Sequence, residues 1–217
     1  MFRLHGSPIS NFYNIAKLAL MEKGLDFEEQ LQPPSQDEAF LAKSPLGKIP
    51  VLEVKEGFIS ETVAIVEFLE DVYPEIPLYP SNAYERALVR RLCHMAEVYI
   101  DIPCRPLLVT MMTGKELADD RKQEVRQQLE KGARGIARVV TPSPWMFGDR
   151  FTAADIFFYY NLGLVAPIAK DQLDVDLYSI LPGFDAWRSM LAKRDFVQQV
   201  DVANKAAMEA FLKRKGS

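Results

Sequence analysis

The chain has 217 residues, 48% of them hydrophobic and 26% charged, with a formal net charge of −4 and a pI near 5.4. That size allows one large domain or two small ones around a sizeable core. The acidic balance carries no electrostatic footprint for nucleic acid or an anionic membrane surface. No apolar run approaches the ~18 residues that a membrane span needs, and the opening MFRLHGSPIS lacks the long apolar stretch of a secretory leader. A cytoplasmic location is therefore expected. The two histidines, His5 and His94, and the two cysteines, Cys93 and Cys104, form no CxxC or other zinc-ligand pattern, so no metal is expected. The cysteines read as buried, reduced, small hydrophobic residues.

In chain order, residues 2–6 predict a short strand, and the apolar positions between Phe12 and Gly24 predict a helix stopped by the glycine. Leu25 to Leu31 alternates as a strand does. A loop with at most a short helix follows. IPVLEV, KEG and FIS then predict a strand, a turn and a second hairpin strand. From Glu61 a helix runs to Pro74. The order β-α-β-(α)-β-β-α in fewer than 80 residues is that of a small mixed sheet with helices on its faces. Residues 74–83 hold three prolines and read as a linker. Beyond it only helices are predicted: Tyr84–Met112, bent or broken at Pro103 and Pro106, then Asp119–Val140, Phe151–Lys170, Pro182–Arg194 and Val202–Lys215.

Four stretches bear on function. SPISNFYN, from Ser7, crowds hydroxyls and amides into the first strand-to-helix turn, where they either cap the helix or meet a ligand. LGKIPVLE, from Leu46, places Pro50 in an otherwise central strand. A cis bond there would turn Val51 toward a peptide-like ligand, whereas a trans bond would make it a plain strand start. ISETVAI, from Ile59, sets Ser60, Glu61 and Thr62 at a helix N-terminus, suited to capping or to an amino-acid head group with both charges. In FGDRFTAADIFF, Thr152 and Asp155 form a capping box before an apolar helix.

LGKIPVLE, SETVAIVEFLE and FGDRFTAADI, in this order, resemble segments of the cytosolic glutathione S-transferase family, and the resemblance spans nearly the whole chain. It implies an α/β thioredoxin-like domain over residues 1–77, a linker at 78–84 and an all-α helical-bundle domain over 85–217. It also implies a homodimer, glutathione as co-substrate, and detoxifying conjugation of glutathione to small hydrophobic electrophiles, with peroxidase activity as a further use. By resemblance, Lys48, Ile49, Pro50 and Val51 belong to the glutathione-binding segment. Val51 pairs with the cysteinyl backbone and Lys48 meets the glycyl carboxylate, while Glu61 and Thr62 hold the γ-glutamyl head. Ser10 falls where the tau-like and zeta-like classes of this serine-type, bacterial-type pattern keep their catalytic serine. Ser7 lies three residues too early. A hydroxyl or amide at a helix N-terminus favours the thiolate over the thiol. Asn11 and Tyr13 are the alternative donors.

By family position the acceptor electrophile is expected to meet Phe12, Tyr99, Pro103, Arg105 and Tyr160. The chain departs from the family pattern in having no tyrosine in its first strand, no cysteine in its first turn, and no SSCS of the zeta type. These absences argue against the tyrosine mechanism and thioltransferase chemistry, and weaken a reading as a maleylacetoacetate isomerase. The rival reading is a non-catalytic protein of the same fold, acting as an interaction module or a ligand store.

Overall fold

The computed structural model describes residues 1–215. Its elements are β1 (Phe2–Gly6), α1 (Asn11–Glu22), β2 (Phe27–Leu31), α2 (Glu38–Leu41), β3 (Val51–Val54), β4 (Gly57–Ser60) and α3 (Thr62–Val72). Then follow α4 (Ala83–Ala96), a π-helical segment Glu97–Asp101, α5 (Ile102–Thr113), α6 (Asp119–Ala137), α7 (Ala153–Leu173), α8 (Leu177–Ile180), α9 (Phe184–Leu191) and α10 (Asp195–Lys215). The chain divides into two compact units, Met1–Leu78 with the segment from Ala192 onward, and Tyr79–Leu191.

The first unit is built on a four-stranded sheet of order β2-β1-β3-β4. β1 and β2 run parallel, joined through α1, and β3 and β4 form an antiparallel hairpin beside β1. This is the small mixed sheet anticipated from the order of elements, in the thioredoxin-like arrangement that the resemblance implies. Side chains alternate across the sheet. Leu4 and Leu52, opposite one another, are fully buried with the apolar sides of α1 and α3 (Ile15, Leu18, Ile65, Leu69). On the other face Arg3 and His5 both bond to Glu53, His5 Nε2 at 2.7 Å.

The C-terminal end of α1 is locked by a buried ion pair. Lys23 Nζ donates to Glu70 Oε2 at 2.7 Å and to the carbonyls of Tyr73 and Ile76, while the Leu78 N–H donates to the same carboxylate oxygen. The resemblance implies an all-helical domain over 85–217; the final helix packs on α1 in the first unit. Arg194 bonds Glu22 at 2.6 and 2.8 Å, and sequence periodicity cannot show such a non-local partner.

In the second unit α7 is apolar on all sides and forms the centre of the bundle, with α4, α5 and α6 against it. Its start is the expected capping box. The Thr152 N–H donates to Asp155 Oδ2 at 2.8 Å, and Asp155 Oδ1 accepts from the Met146 N–H and Trp187 Nε1, each at 2.9 Å. Burial pushes the Asp155 carboxyl up, and these hydrogen bonds oppose the shift. Pro103 and Pro106, expected to bend or break the long helix, lie in α5, just after the π-helical segment that interrupts the α-helical path. Pro103 has no N–H to give the Tyr99 carbonyl. Gly132 of α6 lies against that carbonyl so closely that a Cβ would come within 2.4 Å of it.

Candidate functional site

The strand register brings the predicted segments to one end of the sheet. His5 near the end of β1, Val51 at the start of β3 and Ser60 at the end of β4 form one cross-strand row. The chain therefore enters or leaves this row through the Ser7–Ser10 turn, the Lys48–Pro50 loop and the Glu61–Thr62 junction. A concave surface lined by Phe2, Leu25, Val54, Phe68 and Tyr73 lies at the opposite end of the strands and holds none of these residues.

Ser10 is the N-cap of α1, with extended backbone (φ −76°, ψ 122°), and its Oγ accepts from the Tyr13 N–H at 3.3 Å. That bond uses a lone pair. The hydroxyl proton goes to no acceptor among the described residues and remains to be donated. The first-turn N–H groups and the positive end of the helix dipole favour negative charge at the same place.

Tyr13, expected as an alternative sulfur donor, is the third residue of α1. Its ring is 1% exposed and lies under Gly6, where a Cβ would meet Tyr13 Cδ2 at 2.2 Å. Its hydroxyl donates to Glu29 Oε2 at 2.5 Å, and Lys17 Nζ holds the same carboxylate at 2.8 Å. Burial, then the bond to Glu29, raise the phenol well above its ordinary value. Tyr13 is a protonated anchor committed to β2. Asn11, at the first helical position, is also buried. Ser10 is the half-buried member of the trio.

The Ile49–Pro50 bond is cis. The loop before it is shaped by Ser44, which is buried; its Oγ accepts from the Lys48 N–H at 3.1 Å and its carbonyl from the Gly47 N–H at 2.8 Å. Gly47 has φ 66°, and a Cβ there would collide with the Ser35 carbonyl at 2.1 Å. Val51 is expected to pair with the backbone of a peptide-like ligand. Val51 is fully buried and already registered between His5 of β1 and Ser60 of β4, so its backbone belongs to the ladder. Ile49, just before the cis bond, lies outside the strands and is half-buried; its backbone makes no hydrogen bond among the described residues. Lys48 is exposed, with no ion pair among the described residues.

Glu61 has φ 69° and ψ 119°, a rare conformation for any residue but glycine. It stands as the N-cap of α3, so Ser60 ends the strand and does not cap the helix. The Glu61 side chain makes no capping bond and is exposed, whereas Thr62 is buried at the first position of α3. Strain at a non-glycine residue signals an imposed position. It sets one carboxylate beside free helix N–H groups, a match for a ligand with an ammonium and a carboxylate. No sequence signal distinguished this strain from ordinary capping.

The residues expected near an acceptor fall in both units. Phe12 is half-buried on α1. Tyr99 is exposed in the π-helical segment, and Pro103 is half-buried on α5. Arg105 is held in a two-pronged bond by Asp101, 2.7 Å on each prong. Tyr160 is buried in α7, edge-on to Tyr159. Among the described residues no cluster of three or more His, Cys, Asp or Glu side chains is placed to hold a metal ion, and no helix is long and apolar enough to cross a membrane.

Comparison with known proteins agrees with this architecture. Residues 4–77 match the family model described as glutathione S-transferase, N-terminal domain, and residues 119–189 match glutathione S-transferase, C-terminal domain. A protein of Pseudomonas putida named glutathione S-transferase is 33% identical over 212 residues, covering 98% of this chain and 96% of that one. A Pseudomonas aeruginosa protein named maleylacetoacetate isomerase is 30% identical over 162 residues, covering 67% of this chain and 73% of its own. Among solved structures, a glutathione S-transferase from Rhodospirillum rubrum superposes with a TM-score of 0.75 at 28% identity, covering 92% of this chain and 91% of that one. With both family models matched in chain order and a full-length relative at this identity, the chain belongs to the glutathione S-transferase family.

Proposed function

We propose that this protein is a serine-type glutathione transferase that binds glutathione at the upper end of its sheet, stabilises the thiolate through Ser10, and transfers it to small hydrophobic electrophiles. The observation that carries this reading is the half-buried Ser10 hydroxyl, which accepts from Tyr13 N–H and keeps its proton to give, beside two other peptide-binding features at the same end of the sheet.

Glutathione is a peptide with an ammonium and a carboxylate at one end, a thiol in the middle and a second carboxylate at the other. The Glu61 carboxylate meets the ammonium, and the first N–H groups of α3 with Thr62 meet the adjacent carboxylate. The Ile49 N–H and C=O pair with the cysteinyl backbone as an added strand, in place of Val51. Lys48 meets the glycyl carboxylate. The Ser10 O–H and the N-terminus of α1 then face the sulfur. One charge-assisted bond of about 1.5–3 kcal/mol lowers a thiol pKa by roughly one to two units.

The protein does not attack the substrate. The thiolate forms the carbon–sulfur bond, and either the leaving group departs or, for an activated alkene, the carbanion takes a proton. The same thiolate would serve peroxide reduction. A homodimer and a cytoplasmic location belong to this reading through the family resemblance. Maleylacetoacetate isomerisation does not, because the first turn reads SPISNFY where the zeta pattern has SSCS. The test is calorimetric titration with glutathione and a conjugation assay with an activated aryl halide. Saturable binding with turnover is expected. A protein that binds no glutathione is instead an interaction module of the same fold.

A further inference from the structure

Resting on the reading that Ser10 donates to the glutathione sulfur, we propose that the last helix belongs to the activating apparatus: Asn204 of α10 is a positioning residue that holds the Ser10 turn through the Pro8 carbonyl.

The Ser7–Ser10 turn is closed by the Ser10 N–H donating to the Ser7 carbonyl at 2.9 Å. Pro8 occupies its second position, where proline is favoured. Closure leaves the Pro8 carbonyl without a partner inside the turn, and two amides converge on it. Asn14 Nδ2 donates from α1 at 2.9 Å, and Asn204 Nδ2 donates from α10 at 2.6 Å. Asn14 is 1% exposed, and its Oδ1 has no donor among the described residues. Turning that amide round would set oxygen against the Pro8 oxygen, so the carbonyl fixes its orientation.

The residue just ahead of α10, Arg194, is also fastened to the other end of α1, on Glu22. α10 and this residue therefore grip α1 at its C-terminal end and again just ahead of its N-cap. The backbone of that N-cap sets the aim of the Ser10 hydroxyl. A hydrogen bond to sulfur weakens steeply once its donor is misaligned. A turn held from two sides keeps the donor aimed without any contact between α10 and the ligand.

The test compares wild type with Asn204→Ala, Asn204→Asp, Ser10→Ala and the double variant Ser10→Ala/Asn204→Ala. Arg194→Ala loosens α10 away from the turn. Asn204→Asp keeps the side-chain volume and serves where truncation prevents folding. The readouts are the thiol pKa of bound glutathione, from thiolate absorbance against pH, and the melting temperature. Both Asn204 variants are expected to raise the bound thiol pKa by about half a unit to one unit, a threefold to tenfold loss of thiolate at neutral pH. The double variant should lie no higher than Ser10→Ala. Arg194→Ala should lower the melting temperature and leave the thiol pKa in place. If the Asn204 variants lower only the melting temperature, or if Arg194→Ala moves the thiol pKa as much as they do, Asn204 is merely structural and the inference falls. If Ser10→Ala leaves the thiol pKa of bound glutathione unmoved, the Ser10 reading itself has failed and takes this one with it.

Discussion

Replacing Glu61 with glycine separates two things that the residue does. A non-glycine residue at φ 69°, ψ 119° carries strain of about 1–3 kcal/mol. Glycine relaxes that strain but loses more chain entropy on folding, by about 0.5–1 kcal/mol. The net expectation is a protein more stable by about 1 kcal/mol, or roughly 2–4 °C in Tm for a chain of this size. The same change removes the carboxylate offered to the ammonium of glutathione. A hydrogen bond to a charged group contributes about 1.5–3 kcal/mol, so the Kd should rise roughly ten- to a hundredfold. Glu61→Gln keeps the backbone conformation and removes the charge; it should weaken binding with little change in Tm. Thermal unfolding and calorimetric titration of the three proteins measure both effects. A lower Tm for Glu61→Gly would refute the strain argument. An unchanged Kd would refute the assignment of Glu61 to the ammonium.

Other consequences concern the parts that hold the site. Lys23→Met leaves Glu70 buried without its cation and should cost about 3–5 kcal/mol by chemical denaturation; adding Glu70→Leu should return part of the loss. Asp155→Asn turns one accepting oxygen into a donor facing buried N–H or O–H groups, and should cost about 2–4 kcal/mol. The sign of its pH dependence follows from burial, which raises the folded pKa of Asp155 above the unfolded value. A raised carboxyl contributes stability that is fully present below the unfolded pKa and is lost as pH rises through the folded one. Asparagine does not titrate, so the gap between wild type and Asp155→Asn should widen as pH falls from neutrality toward about 4. A gap that narrows over that range would contradict the direction of the shift.

Local chemistry made much of the molecule legible. The hairpin from Ile49 to Ser60 announces itself through β-branched residues around a Lys-Glu-Gly turn, and the capping box before α7 through its spacing. Pro50 in a central strand marked the place of a cis bond without deciding it. What stayed hidden depends on partners distant in sequence. The choice of Ile49 over Val51 for ligand pairing needs the register of three strands. The Tyr13 hydroxyl is engaged by Glu29, 16 residues away on β2. The sequence places Arg194 at the end of one predicted helix and Asn204 in the next, and neither contact, with Glu22 or with Pro8, can be read from periodicity. Pro103 and Pro106 suggest a bend or a break, and the α-helical path is interrupted just ahead of them by a π-helical segment that glycine on a neighbouring helix accommodates.

The central claim is that one hydroxyl, that of Ser10, holds the glutathione thiolate. The direct measurement is the thiol pKa of glutathione bound to wild type, Ser10→Ala and Tyr13→Phe, followed by thiolate absorbance against pH. The structure predicts a pKa roughly one to two units below that of free glutathione in wild type and in Tyr13→Phe, and a return toward the free value in Ser10→Ala. A pKa that stays low without the Ser10 hydroxyl, or that rises when only the Tyr13 hydroxyl is removed, would contradict the account.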